Sequence, residues 1–195
     1  MARTPSTMLE LGTPAPDFRL PDYNGKPVAL SDFTKERALL VMFICNHCPF
    51  VKHVRQELAR LRRDYRPEDV AIVAINSNDI AAYPADNAEA MAREAREFGY
   101  TFPYLLDESQ QVAHAYRAAC TPDFYLFGPD RRLVYRGQLD DSRPGNNVPV
   151  TGRDLRAAID AVLASAPVPS DQRPSIGCNI KWKPGNEPEY YGQIS

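Results

Sequence analysis

No stretch of this 195-residue sequence is long enough and apolar enough to cross a bilayer as a helix. The longest strongly apolar run, Ala38 to Cys45, falls far short of the ~20 residues that a spanning helix needs. The opening MARTPSTMLELGTPAPDF has no apolar core of signal-peptide length, so the chain is expected to be cytoplasmic, with no membrane partner. An excess of charge of one sign is missing too. The 23 Lys and Arg are balanced by 25 Asp and Glu, which argues against a nucleic-acid surface. Arg60, Arg62, Arg63 and Arg66 form a basic cluster, but apolar residues interrupt it at helical spacing and it reads as a solvated helix face. Internal repeats and low-complexity blocks are absent. Cysteine is scarce, and four in a cytoplasmic chain of this size do not make a disulfide framework. They read as redox groups or metal ligands.

What is present is an ordinary globular balance, 44% hydrophobic and 25% charged, in a chain long enough for one domain with a substantial core. Residues 16–33 read as a hairpin: Phe18 and Leu20 alternate, Tyr23-Asn24-Gly25-Lys26 turns, and Val28 and Leu30 alternate again. Ala38 to Ile44 and Val70 to Ile75 are continuous apolar runs of strand length, the pattern of strands covered on both faces. Between them Val51, Val54, Leu58, Leu61 and Tyr65 recur every three or four residues, so the segment is a βαβ unit. Asp86 with Glu89 resembles a capping box for a helix that Gly99 ends. A short helix is expected over Gln110 to Ala118. Phe124–Phe127 and Leu133–Gly137 form a hairpin through Gly128-Pro129-Asp130-Arg131. Thr151 and Asp154 are expected to cap a last helix carrying Leu155, Ile159, Val162 and Leu163.

From about Pro167 five prolines rule out a regular helix. The expected division is therefore residues 1–166 as one α/β domain and 167–195 as an extended proline-rich tail docked on it. The order of elements resembles the thioredoxin-like fold, a central mixed sheet flanked by helices, with an added amino-terminal hairpin.

Cys45-Asn46-His47-Cys48 falls where the first buried strand gives way to the amphipathic helix. Unpaired N–H groups and the macrodipole at a helix start favour a thiolate. Cys45, nearer the strand, is expected to be the more exposed sulfur and the nucleophile. Cys48, one turn on, is placed to attack the mixed disulfide. An imidazolium at His47 would favour the thiolate further. Pro49 belongs to the first turn of the helix. Thr121-Pro122, just before the strand from Asp123, resembles a cis-proline loop lying against the nucleophile. Such a loop leaves backbone groups to pair with an extended substrate, which makes Thr121 and Pro122 candidate substrate-binding residues.

Ala15-Pro16-Asp17-Phe18, Cys45-Asn46-His47-Cys48-Pro49, Ala119-Cys120-Thr121-Pro122-Asp123 and the tail Ser175-Ile176-Gly177-Cys178-Asn179-Ile180-Lys181-Trp182-Lys183 together carry a resemblance. The sequence resembles the peroxiredoxin-like, C-x-x-C-bearing branch of the alkyl hydroperoxide reductase/thiol-specific antioxidant family. The resemblance implies a thiol-based oxidoreductase or antioxidant acting on disulfide-bearing proteins or small thiols with a reducing partner. It calls for no cofactor and no metal. In peroxiredoxins a Thr or Ser stands three positions before the peroxidatic cysteine and a proline seven before. Counting back from Cys48 gives Cys45 and Val41, and from Cys45 gives Met42 and Ala38, which argues against direct peroxidase chemistry. The buried acid that thioredoxin carries six positions before its first cysteine is replaced by Leu39.

Two other readings remain open at this point. One is a thiol peroxidase using Cys45 or Cys48. The other is a zinc-binding module built from Cys45, Cys48, Cys120 and Cys178 with His47 or His53, although the spacing lacks a second close pair. His53, off the apolar stripe, is expected to face solvent, and His114 to be partly exposed on its short helix. Ile176, Ile180 and Trp182 alternate and give the tail apolar groups to dock with, which brings Cys178 near Cys120 as a possible second redox pair.

Overall fold

Ala38–Phe43 and Val70–Asn76 are buried along their whole lengths, and the molecule is built around them. The structure, a computed structural model, describes residues 3–192. In chain order its first half contains β1 (Thr4–Pro5), β2 (Arg19–Pro21), β3 (Pro27–Ala29), β4 (Ala38–Phe43), α1 (Pro49–Asp64), β5 (Val70–Asn76) and α2 (Ala88–Phe98). The second half contains β6 (Tyr104–Leu106), α3 (Gln111–Ala115), β7 (Cys120–Thr121), β8 (Asp123–Phe127), β9 (Leu133–Gly137), α4 (Arg153–Leu163) and β10 (Ile176–Asn179). No helix among the described residues is long and apolar enough to cross a membrane.

The main sheet runs β6-β5-β4-β8-β9, with β4 parallel to β5 and antiparallel to β8. This is the mixed sheet of a thioredoxin-like fold. Alternation along β4 divides the core in two. Leu40 and Met42 pack with the α1 and α4 side, including Leu58 and Ile159; Leu39, Val41 and Phe43 pack with Tyr116 and Tyr125 on the other. At about 1.5–3 kcal/mol for each fully buried large apolar side chain, β4 is a principal contributor to stability. The β2–β3 hairpin forms as expected, its turn held by Asp22, which accepts from Asn24 N and Lys26 N.

Several local expectations are corrected. Helix α2 is capped by Asn87, which accepts from Ala90 N, while Asp86 turns inward to other partners. The start of α4 is held mainly by Asp140, whose carboxylate accepts from Thr151 N at 2.7 Å and Gly152 N at 2.6 Å; Gly152 is the N-cap residue, and the Thr151 side chain accepts only from Arg153 N, at 3.3 Å. Of the basic cluster on α1, Arg62 is buried and donates to Val70 O and Tyr65 O. Its guanidinium satisfies carbonyls at the end of the helix, a partnership that spacing alone does not reveal.

The tail is docked. Strand β10 lies between β1 and β7, pairing Cys178 with Thr121 and Asn179 with Cys120. Ile180 and Trp182 are buried in the second core, but Ile176 borders a cleft with Phe50 and Pro122, so the three do not share one face.

Asp123 opens β8 fully buried, its Oδ2 accepting from Tyr125 OH at 2.9 Å. Burial pushes its carboxyl up to about 8 against the lowering effect of that bond. An unfolded Asp titrates near ~3.9. Between these values the unfolded chain has released a proton that the folded chain keeps, so stability falls as pH rises through the window. Asp123→Asn is expected to gain more stability over the parent at pH 8 than at pH 5. Chemical denaturation at both pH values checks it, and equal gains would assign the burden to another group.

Candidate active site

The site forms where β4 ends and α1 begins. Cys48 is the N-cap of α1 and Pro49 its first residue, so the helix starts four residues after Cys45. Cys45 lies in the connection from β4 and is 1% exposed; Cys48 is 0% exposed. The expected exposed first sulfur is therefore absent. Both sulfurs are covered because β7, β10 and the segment around Asp86 close over the helix start.

No disulfide links the four cysteines. The Thr121–Pro122 bond is cis, as expected from the sequence. Thr121 meets both sulfurs: its Oγ1 is 3.4 Å from Cys45 Sγ, and its carbonyl accepts from the Cys48 thiol at 3.2 Å. Cys48 also interacts with the thiols of Cys178 and Cys45. The Cys48 thiol donates to Thr121 O, and the thiolate formed from it would accept from both neighbouring thiols. These interactions, Cys178 first, lower the Cys48 pKa despite its burial. Cys45 moves the opposite way, pushed up by burial, by Cys48 and by the negative charge of Asp86. These causes favour the charged form at Cys48, at the helix terminus, over Cys45, where sequence reasoning puts it.

His47 packs on Tyr83, the rings stacked 5.4 Å apart, and its Nδ1 lies 2.5 Å from Asp86 Oδ2. The imidazole is 27% exposed and Asp86 is fully buried. Asp86 also accepts from Asn46 N at 2.8 Å, His47 N at 3.2 Å and Asn78 Nδ2 at 2.8 Å. Burial raises its carboxyl pKa, but the bonds from His47 and Asn78 prevail and leave it lowered. Asp86 is the member of this cluster that the sequence reading missed. Its spacing to Glu89 suits a helix cap, and the adjacent Asn87 that takes the cap was the one available hint.

Among the described residues, Cys45, His47 and Asp86 offer ligand atoms within 4.8 Å of one another, a donor set that suits a zinc-like ion. The four-cysteine grouping considered above does not form. Strand alternation turns Cys120 away from Thr121 and Cys178, and its Sγ lies 3.8 Å from Pro122 O. Cys120 and Cys178 are thus neighbours in sequence register whose side chains leave opposite faces, and Cys178 meets Cys48 instead. Burial raises the Cys120 thiol's pKa. His53 bonds Ser142 Oγ at 2.6 Å rather than facing solvent, and His114 contacts Asn186 O at 2.7 Å. The β7 edge expected to receive an extended substrate is filled by β10.

Comparisons with known proteins follow the same lines. A model of the AhpC/TSA family matches residues 11–136. The crystal structure of an uncharacterized conserved protein from Geobacillus kaustophilus is 58% identical with a TM-score of 0.92, covering 95% of this chain and 98% of that one. A hypothetical protein from Sinorhizobium meliloti 1021 is 55% identical with a TM-score of 0.92, covering 93% and 100%. Thiol-disulfide oxidoreductase ResA of Bacillus subtilis (strain 168) is 29% identical over 123 residues, which span 63% of this chain and 64% of that protein, under two thirds of its length.

Proposed function

This chain belongs to the AhpC/TSA family, and we propose that it is a thiol–disulfide oxidoreductase cycling Cys45 and Cys48 between dithiol and disulfide. The observation that carries this reading is the Cys48 sulfur at the head of α1, interacting with the Cys45 thiol and cis-proline-flanked Thr121, with the His47–Asp86 pair beside Cys45. The Cys48 thiolate attacks a substrate disulfide: a bond forms from Cys48 Sγ to one substrate sulfur, and the other leaves with the electron pair. Cys45, whose raised pKa holds its proton at rest, passes that proton to the His47–Asp86 pair and attacks Cys48 Sγ. The intramolecular disulfide forms and the second substrate sulfur departs. An external thiol reductant then restores the dithiol. Disulfide-bearing proteins or small thiols are the substrate class, reaching the site on the side where His47 and Tyr83 meet solvent.

The test is equilibration of the protein with reduced and oxidised glutathione, followed by a non-reduced peptide map. A Cys45–Cys48 bridge is expected, and its midpoint sets the direction of the reaction. A potential near about −270 mV marks a reductant and one near about −120 mV an oxidant. Absence of that bridge at every poise would overturn the reading. Rapid, saturable hydroperoxide consumption would favour a peroxidase instead.

A further inference from the structure

The tail sits where the cis-proline loop offers its backbone to a partner strand. Cys178 stands directly opposite Thr121 in the β7–β10 register, and Thr121 is the residue whose carbonyl accepts from Cys48. The Cys178 and Cys48 thiols are near enough for each to shift the other's pKa. Strand β10 is held there from both sides. Ser6 N donates to Ser175 O at 2.9 Å, and Ile180 N donates to Ala119 O at 3.0 Å. Gly177 allows the close approach: a Cβ there would stand 1.9 Å from the Thr121 carbonyl oxygen. The chain thus places one of its own thiols against the reactive sulfur, on a strand added to the edge that would otherwise take an extended peptide.

We propose that Cys178 is a third redox thiol of this site, exchanging with Cys48 so that β10 serves as an internal disulfide partner. The proposal rests on the Cys45–Cys48 pair being the redox centre. From the oxidised pair, the Cys178 thiolate bonds to Cys48 Sγ and the Cys45–Cys48 bond breaks. The electron pair leaves on Cys45, and the proton given up by Cys178 ends there by way of the His47–Asp86 pair. One disulfide replaces another, so no oxidant is consumed. The reduced state fits this order. The Cys48 thiol and burial both raise the Cys178 pKa; the first cause vanishes once Cys48 is in a disulfide, and Lys181 works against the second. The same geometry lets Cys178 displace a substrate sulfur from Cys48 when Cys45 is absent. Cys48, lying between the two other thiols, is the shared member of both bridges.

The test uses the full-length chain oxidised with diamide, alkylated and mapped without reduction. Cys45→Ser is expected to yield a Cys48–Cys178 bridged peptide as its main product, and Cys45→Ala the same. Gly177→Ala in the Cys45→Ser background keeps Cys48 and Cys178 but pushes β10 off Thr121. It is expected to reduce the yield about tenfold or more, because a displaced nucleophile loses its effective concentration. Recovery of Cys48 and Cys178 as separate alkylated thiols in both Cys45 variants, each shown folded by its thermal melt, would overturn the proposal. A parent protein that forms no Cys45–Cys48 bridge would overturn the functional reading beneath it, a separate outcome.

Discussion

Cys48→Ser is expected to lose disulfide reduction by about 10³-fold or more, since it removes the sulfur proposed to attack the substrate. The argument is electrostatic and geometric. Cys48 caps α1 and its thiolate would accept from two neighbouring thiols, whereas burial and the Asp86 carboxylate hold Cys45 protonated. Cys45→Ser is expected to keep the first attack, so its substrate adduct forms on Cys48 at close to the parent rate. With Cys178 also replaced by serine, that adduct should persist. Single-turnover mixing with a disulfide peptide, quenched by alkylation and read by mass, separates the two variants. If Cys45→Ser proves inert while Cys48→Ser accumulates an adduct, the order of attack is the one expected from sequence alone. The burial argument would then be wrong.

Asp86→Ala is expected to cost about 3–5 kcal/mol of folding stability, because it strips the shared acceptor from buried and half-buried donors. Three N–H donors, Asn46 N, His47 N and Asn78 Nδ2, lose their shared acceptor, and His47 loses its partner. For a chain of this size the midpoint of thermal unfolding should fall by about 10 °C. Asp86→Asn keeps the shape and removes the charge, so the Cys45 pKa should drop. His47→Ala should raise it, leaving the carboxylate beside Cys45 unpaired. Alkylation of Cys45 against pH reads both shifts, and unmoved midpoints in both variants would mean that burial alone sets the value. A melting point within a degree or two of the parent for Asp86→Ala would show that water replaces the carboxylate.

Much of this site was legible because its signals are local. A buried strand announces itself by an unbroken apolar run, an amphipathic helix by its spacing, and a C-x-x-C at their junction by its position. The turn at Asp22 to Lys26 and the cap at Gly99, with φ of 70°, follow from residue chemistry within a few positions. Local reasoning failed where two adjacent residues both suit one role. Asp86 and Asn87 can each cap a helix, and only the surroundings of β4 and α1 decide that Asp86 turns inward to Asn46 and His47. At the start of α4 the expected cap is only partial: Thr151 Oγ1 accepts from Arg153 N alone, and the distant carbonyl of Leu139 takes Asp154 N and Leu155 N.

The sequence by itself determined the order of elements, the junction carrying Cys45 and Cys48, the cis-proline loop at Thr121 and Pro122, and a tail with apolar groups to dock. All of these depend on periodicity, turn chemistry or motif within a short window. Only the tertiary structure decided which thiol is favoured in the charged form and which third thiol reaches it. Those outcomes depend on contacts 39 residues apart between His47 and Asp86 and 73 apart between Cys48 and Thr121. They also depend on the register of β10, where a shift of one residue would turn Cys178 away and bring a neighbour to Cys48 instead. Burial, too, arises only when distant segments close over the helix start, and burial is what raises the Cys45 pKa and makes the order of the two sulfurs a property of the fold.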